Sequence, residues 1–297
     1  MIEWFTSFLN LFTKFGPATR SFAKFLLHNI TGKCELERIC DNRKYDFDHC
    51  QDIEYALYHS KNDNIRKILV SDSMKVKDAM QSILRIKRII PEEGSIFLNS
   101  MPQFLRKIIS YNKLFCDVDE MKLTKYDEEN SVHEELLYRL WTLLKEGDDL
   151  KERHTKRWQE IGFQGNNPAT DFRGMGILSL KNMIYLLETR KDVGLKIFGL
   201  SNHPNFGFSF AIVAINFTGT AYDYMKNGKL KGFMYNIPDS TEYGFDNFQD
   251  FFCDMFLEFA EYWVMREPPN IMSFNEIKAD YIKEVDKRLE AGKWSIE

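Results

Sequence analysis

Apolar side chains recur every three or four positions along most of the chain, the spacing at which residues share one face of an α-helix. Such stripes run through residues 76–90, 104–109 and 136–144, and turn signals at 91–94 (PEEG) and 145–149 (KEGDD) separate them. The stripe residues are Val76, Met80, Ile83, Leu84 and Ile90; Phe104, Leu105, Ile108 and Ile109; and Leu136, Leu137, Leu140, Trp141 and Leu144. The pattern predicts an all-α, multi-helix fold.

Two later segments show the same periodicity with more aromatic residues. Residues 206–225 (FGFSFAIVAINFTGTAYDYM) would also suit a strand, because β-branched and aromatic side chains favour strands. Their length and apolar spacing favour a buried helix, whose inner face is Ala211, Ile212, Ile215, Gly219 and Tyr222. Residues 248–269 (FQDFFCDMFLEFAEYWVMREPP) carry a second stripe, formed by Phe252, Met255, Phe256, Phe259 and Trp263. Pro268 and Pro269 are expected to end that helix.

The first 32 residues predict an amphipathic helical hairpin. In residues 1–16 the apolar face consists of Trp4, Phe5, Phe8, Leu9, Phe12 and Phe15. After Gly16 and Pro17, residues 21–30 repeat the pattern with Phe22, Phe25, Leu26 and Ile30. An aromatic face opposite a weakly charged Ser/Thr side suits a membrane interface, and it also suits packing on the protein core. Both interpretations stay open, and the candidate membrane-facing residues are Trp4, Phe5, Phe8, Phe12 and Phe15.

Composition sets limits on the partners of the chain. It has 40 Lys and Arg against 44 Asp and Glu, a formal net charge of -4, so we expect no nucleic-acid partner. The five cysteines include no CxxC pair, which indicates free thiols in a reducing compartment rather than a disulfide framework. No run of about 18 apolar residues predicts a membrane-spanning helix. Glu3 stands where a secretory signal would carry basic residues, so such a signal is not expected.

Several short motifs look like ligand or catalytic sites but lack a required residue. ITGK at 30–33 has no upstream phosphate-loop glycine, and Cys34 replaces the hydroxyl residue that would meet magnesium. HEELL at 133–137 lacks the second histidine of a zinc-protease helix, and the acidic pairs in 46–48 and 117–119 lack calcium-loop spacing. The sequence therefore predicts no metal site, no cofactor of its own and no stand-alone hydrolase.

Residues 158–176 (WQEIGFQGNNPATDFRGMG), called the arginine segment below, break local rules around one cation. Thr170 or Asp171 is expected to cap the following helix, which places Arg173 at or just inside its first turn. The helix dipole disfavours a cation there by about 0.3–1 kcal/mol. Each of the two glycines that follow would cost about 0.8–1 kcal/mol if it were helical. Such breaks indicate a close approach by an anionic partner; the alternative is that Arg173 pairs with Asp171 or a core carboxylate while the glycines permit tight helix packing.

The arginine segment resembles the signature of the ELMO domain. The pattern W-x3-G-F-Q-G-x2-P-x-T-D-F-R-G-M-G-x3-L is satisfied by Trp158, Gly162, Phe163, Gln164, Gly165, Pro168, Thr170, Asp171, Phe172, Arg173, Gly174, Met175, Gly176 and Leu180. The resemblance extends to 201–218 (SNHPNFGFSFAIVAINFT) and to 133–141 (HEELLYRLW). Residues 31–39 (TGKCELERI) are similar to the N-terminal part of the short ELMO-domain-containing proteins. The resemblance therefore covers most of the chain.

This resemblance implies a helical GTPase-activating protein for Arf-family or Arf-like small GTPases, with Arg173 as the catalytic residue. The residues expected to support it or to face the GTPase are Thr170, Asp171, Gly174, Gly176 and Gln164. The residues expected to pack beneath the segment are Trp158, Phe163 and Phe172. We expect Gln164 to supply a supporting hydrogen bond rather than to orient the attacking water. GTP and magnesium would belong to the partner.

The resemblance also implies a division of the chain and a location. The parts are the hairpin at 1–32, a helical part at 33–125 that packs on the core, and the ELMO domain at 126–290. The implied location is cytoplasmic, with peripheral attachment to mitochondria, endoplasmic reticulum or lipid droplets. Larger ELMO proteins act as scaffolds for Dock-type exchange factors and lack the arginine. A non-catalytic scaffold or membrane tether is therefore the alternative function.

Overall fold

The computed structural model describes residues 17–41, 46–237 and 242–294. Every regular element in these ranges is a helix, which confirms the all-α prediction. The chain divides into two compact units. The first contains the described residues up to Asn112 together with Glu242, and the second contains the remainder. Buried apolar side chains occur in both units.

The first unit consists of short helices and the beginning of a long one. Its helices are α1 Pro17–Thr31, α2 Glu35–Cys40, α3 Phe47–Tyr58, α4 Asp63–Arg66, the 3₁₀ helix Lys67–Val70, α5 Val76–Lys87 and the first part of α6 Ile96–Leu123. Helix α3 begins where the Asp46 carboxylate accepts a hydrogen bond from the backbone N–H of His49. Helix α3 contacts both α2 and α4.

Helix α1 buries its smaller side chains and leaves its aromatic ones in solvent. Ala23 and Leu27 are 1% and 0% exposed, whereas Phe22 and Phe25 are 65% and 62% exposed. Ile30 is also exposed. The aromatic face of this half of the predicted hairpin therefore does not pack on the core.

Five candidate membrane-facing residues lie outside the described residues: Trp4, Phe5, Phe8, Phe12 and Phe15. Within the described ranges, no helix is both long and apolar enough to cross a membrane. The described part of the predicted hairpin includes two exposed aromatic side chains, Phe22 and Phe25.

Helix α5 is shorter than its apolar stripe predicts. It ends at Lys87, and Arg88 adopts a left-handed conformation with φ of 55°. Ile90 lies beyond this end and is 95% exposed, so its assignment to the stripe was wrong. The physical reason is Pro91, which disfavours helical backbone at the residue before it.

The second unit contains the longer helices. They are the rest of α6, α7 Ser131–Leu144, the 3₁₀ helices Lys156–Ile161 and Pro168–Arg173, α8 Gly176–Thr189, α9 Lys191–Ser201, α10 Phe210–Lys226, α11 Lys231–Met234, α12 Phe245–Met265, the 3₁₀ helix Ile271–Ser273 and α13 Phe274–Glu290. Helix α8 contacts α7, α9, α10 and α12 and is buried on nearly all sides, as its apolar sequence requires. Its buried Asn182 donates a hydrogen bond to the Thr218 hydroxyl (3.2 Å).

The two aromatic-rich helices form where the sequence predicts them. Helix α10 is helical throughout, which resolves the choice between helix and strand. Helix α12 buries its predicted stripe completely or nearly so: Phe252, Met255, Phe256, Phe259 and Trp263. The rings of Phe217 in α10 and Phe259 in α12 pack with centroids 4.5 Å apart. Such a close aromatic pair stabilises a core by about 0.5–1.5 kcal/mol beyond the area it buries.

Candidate functional site

The arginine segment folds as two 3₁₀ helices joined by a loop, and this corrects the predicted position of Arg173. Arg173 is the last residue of the 3₁₀ helix Pro168–Arg173, and α8 begins only at Gly176. The cap residue is Asn167, whose side-chain oxygen accepts a hydrogen bond from the backbone N–H of Ala169 (3.1 Å). Neither Thr170 nor Asp171 acts as the cap. Asn followed by Pro is a sequence signal for a helix start, so Asn167 was detectable.

A continuous set of aromatic rings supports the segment from below. Trp158, Phe163 and Phe172 are 0%, 4% and 1% exposed, as expected for packing residues. Phe163 meets Trp158 and Phe172 edge to face, with centroids 6.0 and 5.5 Å apart. Phe172 stacks on Tyr126 at 5.2 Å, and Trp141 meets Trp158 at 5.5 Å. The backbone of the segment is irregular and lacks the hydrogen bonds of an α-helix. Packing between neighbouring rings therefore stabilises its conformation.

The glycines of the segment have different structural reasons. Gly162 has φ of +88°, and a Cβ atom there would overlap the backbone of Phe210. Gly176 is buried with φ of +52°, and a Cβ atom there would overlap the carbonyl oxygen of Thr124. Glycine at 176 therefore lets the start of α8 lie close to the backbone of Thr124. Gly176 is buried and does not face a partner, contrary to expectation. Gly174 is exposed with open space around it, which agrees with the expected surface role.

Asp171 links the two arms of the loop. Its carboxylate accepts a hydrogen bond from the backbone N–H of Gln164 (2.9 Å). Burial raises the pKa of Asp171, while the Gln164 N–H and the positive charge of Arg173 act in the opposite direction. The side chain of Gln164 itself is exposed. Asp171 thus stabilises the loop, and the backbone of Gln164 supplies the supporting hydrogen bond.

Arg173 has an exposed side chain, whose guanidinium makes one hydrogen bond to the described residues. Its Nε–H donates to the backbone carbonyl of Thr170 (2.8 Å). Within the described part of the chain, no carboxylate lies within 4.0 Å of its guanidinium, so the predicted alternative of an internal ion pair is not observed. None of the residues that the structure describes accepts a hydrogen bond from the terminal Nη groups of Arg173, which can therefore donate to an external acceptor. The Nε contact fixes the direction of the side chain, and the remaining donors form a planar fork suited to phosphate or carboxylate oxygens.

One large apolar side chain lies beside this segment. Leu123, the last residue of α6, is 63% exposed. The carbonyl of the next residue, Thr124, accepts a hydrogen bond from the backbone N–H of Ile177 (2.9 Å). The end of α6 is therefore held directly against the beginning of α8. We call the exposed set Leu123, Gln164, Thr170, Arg173 and Gly174 the finger surface.

The other candidate motifs have structural roles in the folded chain. His133 of the HEELL motif is 8% exposed, and its Nδ1 accepts a hydrogen bond from the backbone N–H of Asp127 (3.0 Å). Asp46 caps helix α3. Among the described residues, no group of three or more His, Cys, Asp or Glu side chains is placed to hold a metal ion. The Arg173 guanidinium of the finger surface can stabilise negative charge on an anion.

Comparison with known proteins gives a consistent result. Residues 116–278 match the model of the ELMO/CED-12 family. ELMO domain-containing protein 2 of Homo sapiens is 40% identical over 261 residues, which cover 88% of this chain and 88% of the relative. ELMO domain-containing protein 1 of Mus musculus is 35% identical, with 90% and 87% covered. ELMO domain-containing protein B of Dictyostelium discoideum is 31% identical, with 87% and 90% covered.

Proposed function

Because this chain belongs to the ELMO/CED-12 family, we propose that it is a GTPase-activating protein for Arf-family or Arf-like small GTPases and that Arg173 is its catalytic residue. The observation that supports this most strongly is the state of Arg173. Its guanidinium is exposed, held only through Nε, and paired with no carboxylate in the described part of the chain. A surface arginine held in this way is prepared for an external anion.

The proposed chemistry is electrostatic. When a GTPase hydrolyses GTP, negative charge spreads over the oxygens of the transferred phosphoryl group. The Nη donors of Arg173 would bind those oxygens in the transition state, and arginine fingers of this kind accelerate hydrolysis by about 10³–10⁵. Lysine would supply charge without the two parallel donors. GTP, magnesium and the attacking water would all be bound by the GTPase.

The residues of the finger surface would have different roles in binding and in catalysis. Gly174 has no side chain beside the arginine, and no other atom lies within 4 Å of the place a Cβ atom would occupy. This open space would let the backbone of a GTPase approach closely. Leu123 offers an apolar contact for the partner at the edge of the surface. Gln164 and Thr170 offer polar side chains in the rim. Binding would depend on the whole set, whereas turnover would depend on Arg173 alone.

A second function, attachment to a membrane surface, is favoured by helix α1. Phe22 and Phe25 are more than three-fifths exposed at 65% and 62%, and aromatic side chains at such positions suit the membrane interface. This function is compatible with the first, since the two use residues of different units of the chain. If the chain were only a tether, it would need this face and would not need Arg173.

Single-turnover GTP hydrolysis by purified Arf-family and Arf-like GTPases tests the proposal. We expect the wild-type protein to accelerate at least one of them and Arg173→Ala and Arg173→Lys to lose that acceleration. Arg139→Ala is the matched control, because Arg139 is also an exposed arginine of the second unit and makes a surface ion pair with Glu188 (2.6 Å). Equal acceleration by wild type and Arg173→Ala would remove the catalytic role.

A further inference from the structure

Asn167 occupies a central place in the hydrogen bonds that end at Arg173. Its side-chain oxygen caps the 3₁₀ helix at Ala169 (3.1 Å), and its backbone carbonyl accepts from the Thr170 hydroxyl (3.0 Å). The carbonyl of Thr170 in turn accepts from Nε of Arg173 (2.8 Å). The orientation of the Asn167 amide therefore affects the position of the Thr170 carbonyl, to which Arg173 is hydrogen-bonded.

The other end of the Asn167 amide is fixed by Glu128. The Nδ2 group of Asn167 donates to Oε1 of Glu128 (2.7 Å). Glu128 is distant in sequence and lies in the turn that precedes helix α7. Because an amide has one accepting and one donating end, a carboxylate at Nδ2 forces the oxygen toward the helix cap. Rotation of the amide would lose both hydrogen bonds.

Arg153 holds Glu128 in turn. Its Nη1 donates to the backbone carbonyl of Glu128 (2.9 Å), and its Nη2 lies 3.5 Å from Oε2 of the same residue. Glu134 lies 3.6 Å from Nη1. The side chain of Arg153 is only 16% exposed, so its charge needs these carboxylates nearby. The same residue accepts the indole N–H of Trp158 at its carbonyl (2.7 Å), which ties the group to the aromatic base of the segment.

We propose that Glu128 and Asn167 are positioning residues that hold Arg173 in the direction required for its action on a GTPase. This inference rests on the proposed function for its effect on catalysis. The connection itself runs through hydrogen bonds of 2.7, 3.0 and 2.8 Å and does not depend on any partner. Neither residue touches the reacting atoms.

A reversal of donor and acceptor tests this arrangement. Asn167→Asp keeps an oxygen for the helix cap but places a second carboxylate against Glu128, so like charges repel. Glu128→Gln alone still offers an accepting oxygen to Asn167. In the double variant, Asn167→Asp with Glu128→Gln, the new amide at position 128 would donate to the new carboxylate at position 167. That exchange restores the hydrogen bond with the same total charge as the wild type. Asn270→Asp is the matched control, because Asn270 caps a 3₁₀ helix through the same contact (2.9 Å to the N–H of Met272).

The first readout is stimulated GTP hydrolysis. We expect Asn167→Asp to lower the maximal rate by about tenfold, the effect of losing roughly one well-placed hydrogen bond in the transition state. The protein concentration that gives half of that rate should change less than about threefold, because binding is spread over the finger surface. The double variant should recover to within about threefold of wild type, and Asn270→Asp should match wild type. Equal loss in the single and double variants would overturn the proposal.

The second readout needs no GTPase. The NMR signal of the Arg173 Nε–H, assigned with Arg173→Lys, reports the hydrogen bond to Thr170 directly. We expect Asn167→Asp to shift it toward the signal of a free arginine and to speed its exchange with water, and the double variant to restore it. A signal unchanged in Asn167→Asp overturns the positioning role whatever the hydrolysis assay shows. A signal that responds as expected, in a protein that activates no GTPase, would support the arrangement and reject the proposed function.

Discussion

The arginine segment and helix α12 are both rich in buried aromatic rings, but they use them differently. In α12, Phe252, Phe256 and Phe259 follow the helical period, and the rings pack outward from a regular backbone. In the segment, Phe163 and Phe172 follow no period, and the rings pack edge to face to hold a backbone of loops and 3₁₀ turns. The helix stabilises the unit. The segment uses the same kind of contact to present an exposed arginine in a fixed direction.

This difference shows where stability and activity should separate. Truncation of a side chain in the core should lower only the free energy of unfolding. Truncation of a side chain in the arginine segment should also disturb the orientation of Arg173. Changes to matched residues in the two regions, or within the segment, test this separation.

Phe256→Ala and Phe172→Ala compare a core ring with a segment ring. Both residues are fully or nearly fully buried (0% and 1% exposed), so each variant should lose about 3–5 kcal/mol of unfolding free energy in urea titrations. The fraction that stays folded should keep its stimulated hydrolysis rate in Phe256→Ala and lose most of it in Phe172→Ala. Equal activity per folded molecule in the two variants would contradict the separate role of the segment.

Gly176→Ala and Gly174→Ala compare two glycines of one motif. Alanine at 176 would meet the carbonyl of Thr124 and a φ of +52°, so it should cost at least about 2 kcal/mol of unfolding free energy. Alanine at 174 meets nothing within 4 Å and should change stability by less than about 0.5 kcal/mol. Thermal unfolding followed by circular dichroism measures both. A similar loss of unfolding free energy at the two positions would show that the close contact with Thr124 is not the reason for glycine at 176.

Phe22→Asp with Phe25→Asp tests the exposed face of α1. Because both rings are already in solvent, the melting temperature should stay close to that of the wild type. Sedimentation with liposomes should show partitioning reduced by at least about tenfold. Each ring contributes on the order of 1.5–3 kcal/mol when fully buried in an apolar phase, and partial burial of two rings already exceeds the roughly 1.4 kcal/mol of a tenfold change. Ala23→Asp is the contrasting variant, because Ala23 is buried and its change should unfold the helix instead. Unchanged partitioning would remove the membrane function for this face.

Asp171→Asn gives the smallest expected effect and a defined sign. Burial raises the pKa of Asp171 in the folded state, so ionisation of the carboxyl costs stability as the pH rises through and above its ordinary value. Asparagine keeps an oxygen for the Gln164 N–H and never ionises. The stability of the variant relative to wild type should therefore increase between about pH 3 and about pH 7, by less than about 1 kcal/mol after solvent screening. A decrease over this range would show that ionised Asp171 is stabilised by the charge of Arg173 instead.

Periodicity was sufficient to predict the regular part of the fold. The buried face of α12 follows from spacing alone, because every residue of its predicted stripe is buried. For α10 the spacing predicted the helix, but its predicted inner face was partly wrong, since Ile212, Ile215 and Gly219 are only half-buried. Ile90 was assigned wrongly because the helix ends at Lys87, three residues before it, whereas the stripe was extended as far as the turn signal that begins at Pro91. The aromatic face of α1 shows the same limit, since spacing defines a face and does not say which face the core accepts.

The aromatic base of the arginine segment was predicted in its residues more than in its geometry. The motif contains Arg173 and the rings beneath it, but the helix cap and two of the contacts that shape the segment involve residues outside the motif pattern. Gly176 is required by the carbonyl of Thr124, and Asn167 is oriented by Glu128. Such contacts join residues that are far apart in the sequence, so no local rule of sequence reveals them.

Affinity for a transition-state mimic measures directly whether Arg173 stabilises the transition state of GTP hydrolysis. The GTPase with GDP and aluminium fluoride imitates the charge of the transferred phosphoryl group, and the same GTPase with a non-hydrolysable GTP analogue imitates the ground state. We expect the wild-type protein to bind the first at least about 100-fold more tightly than the second. Arg173→Ala should bind both with the ground-state affinity. If Arg173→Ala kept the full preference for the mimic, or if the wild type showed none, Arg173 would not be the residue that stabilises the transition state.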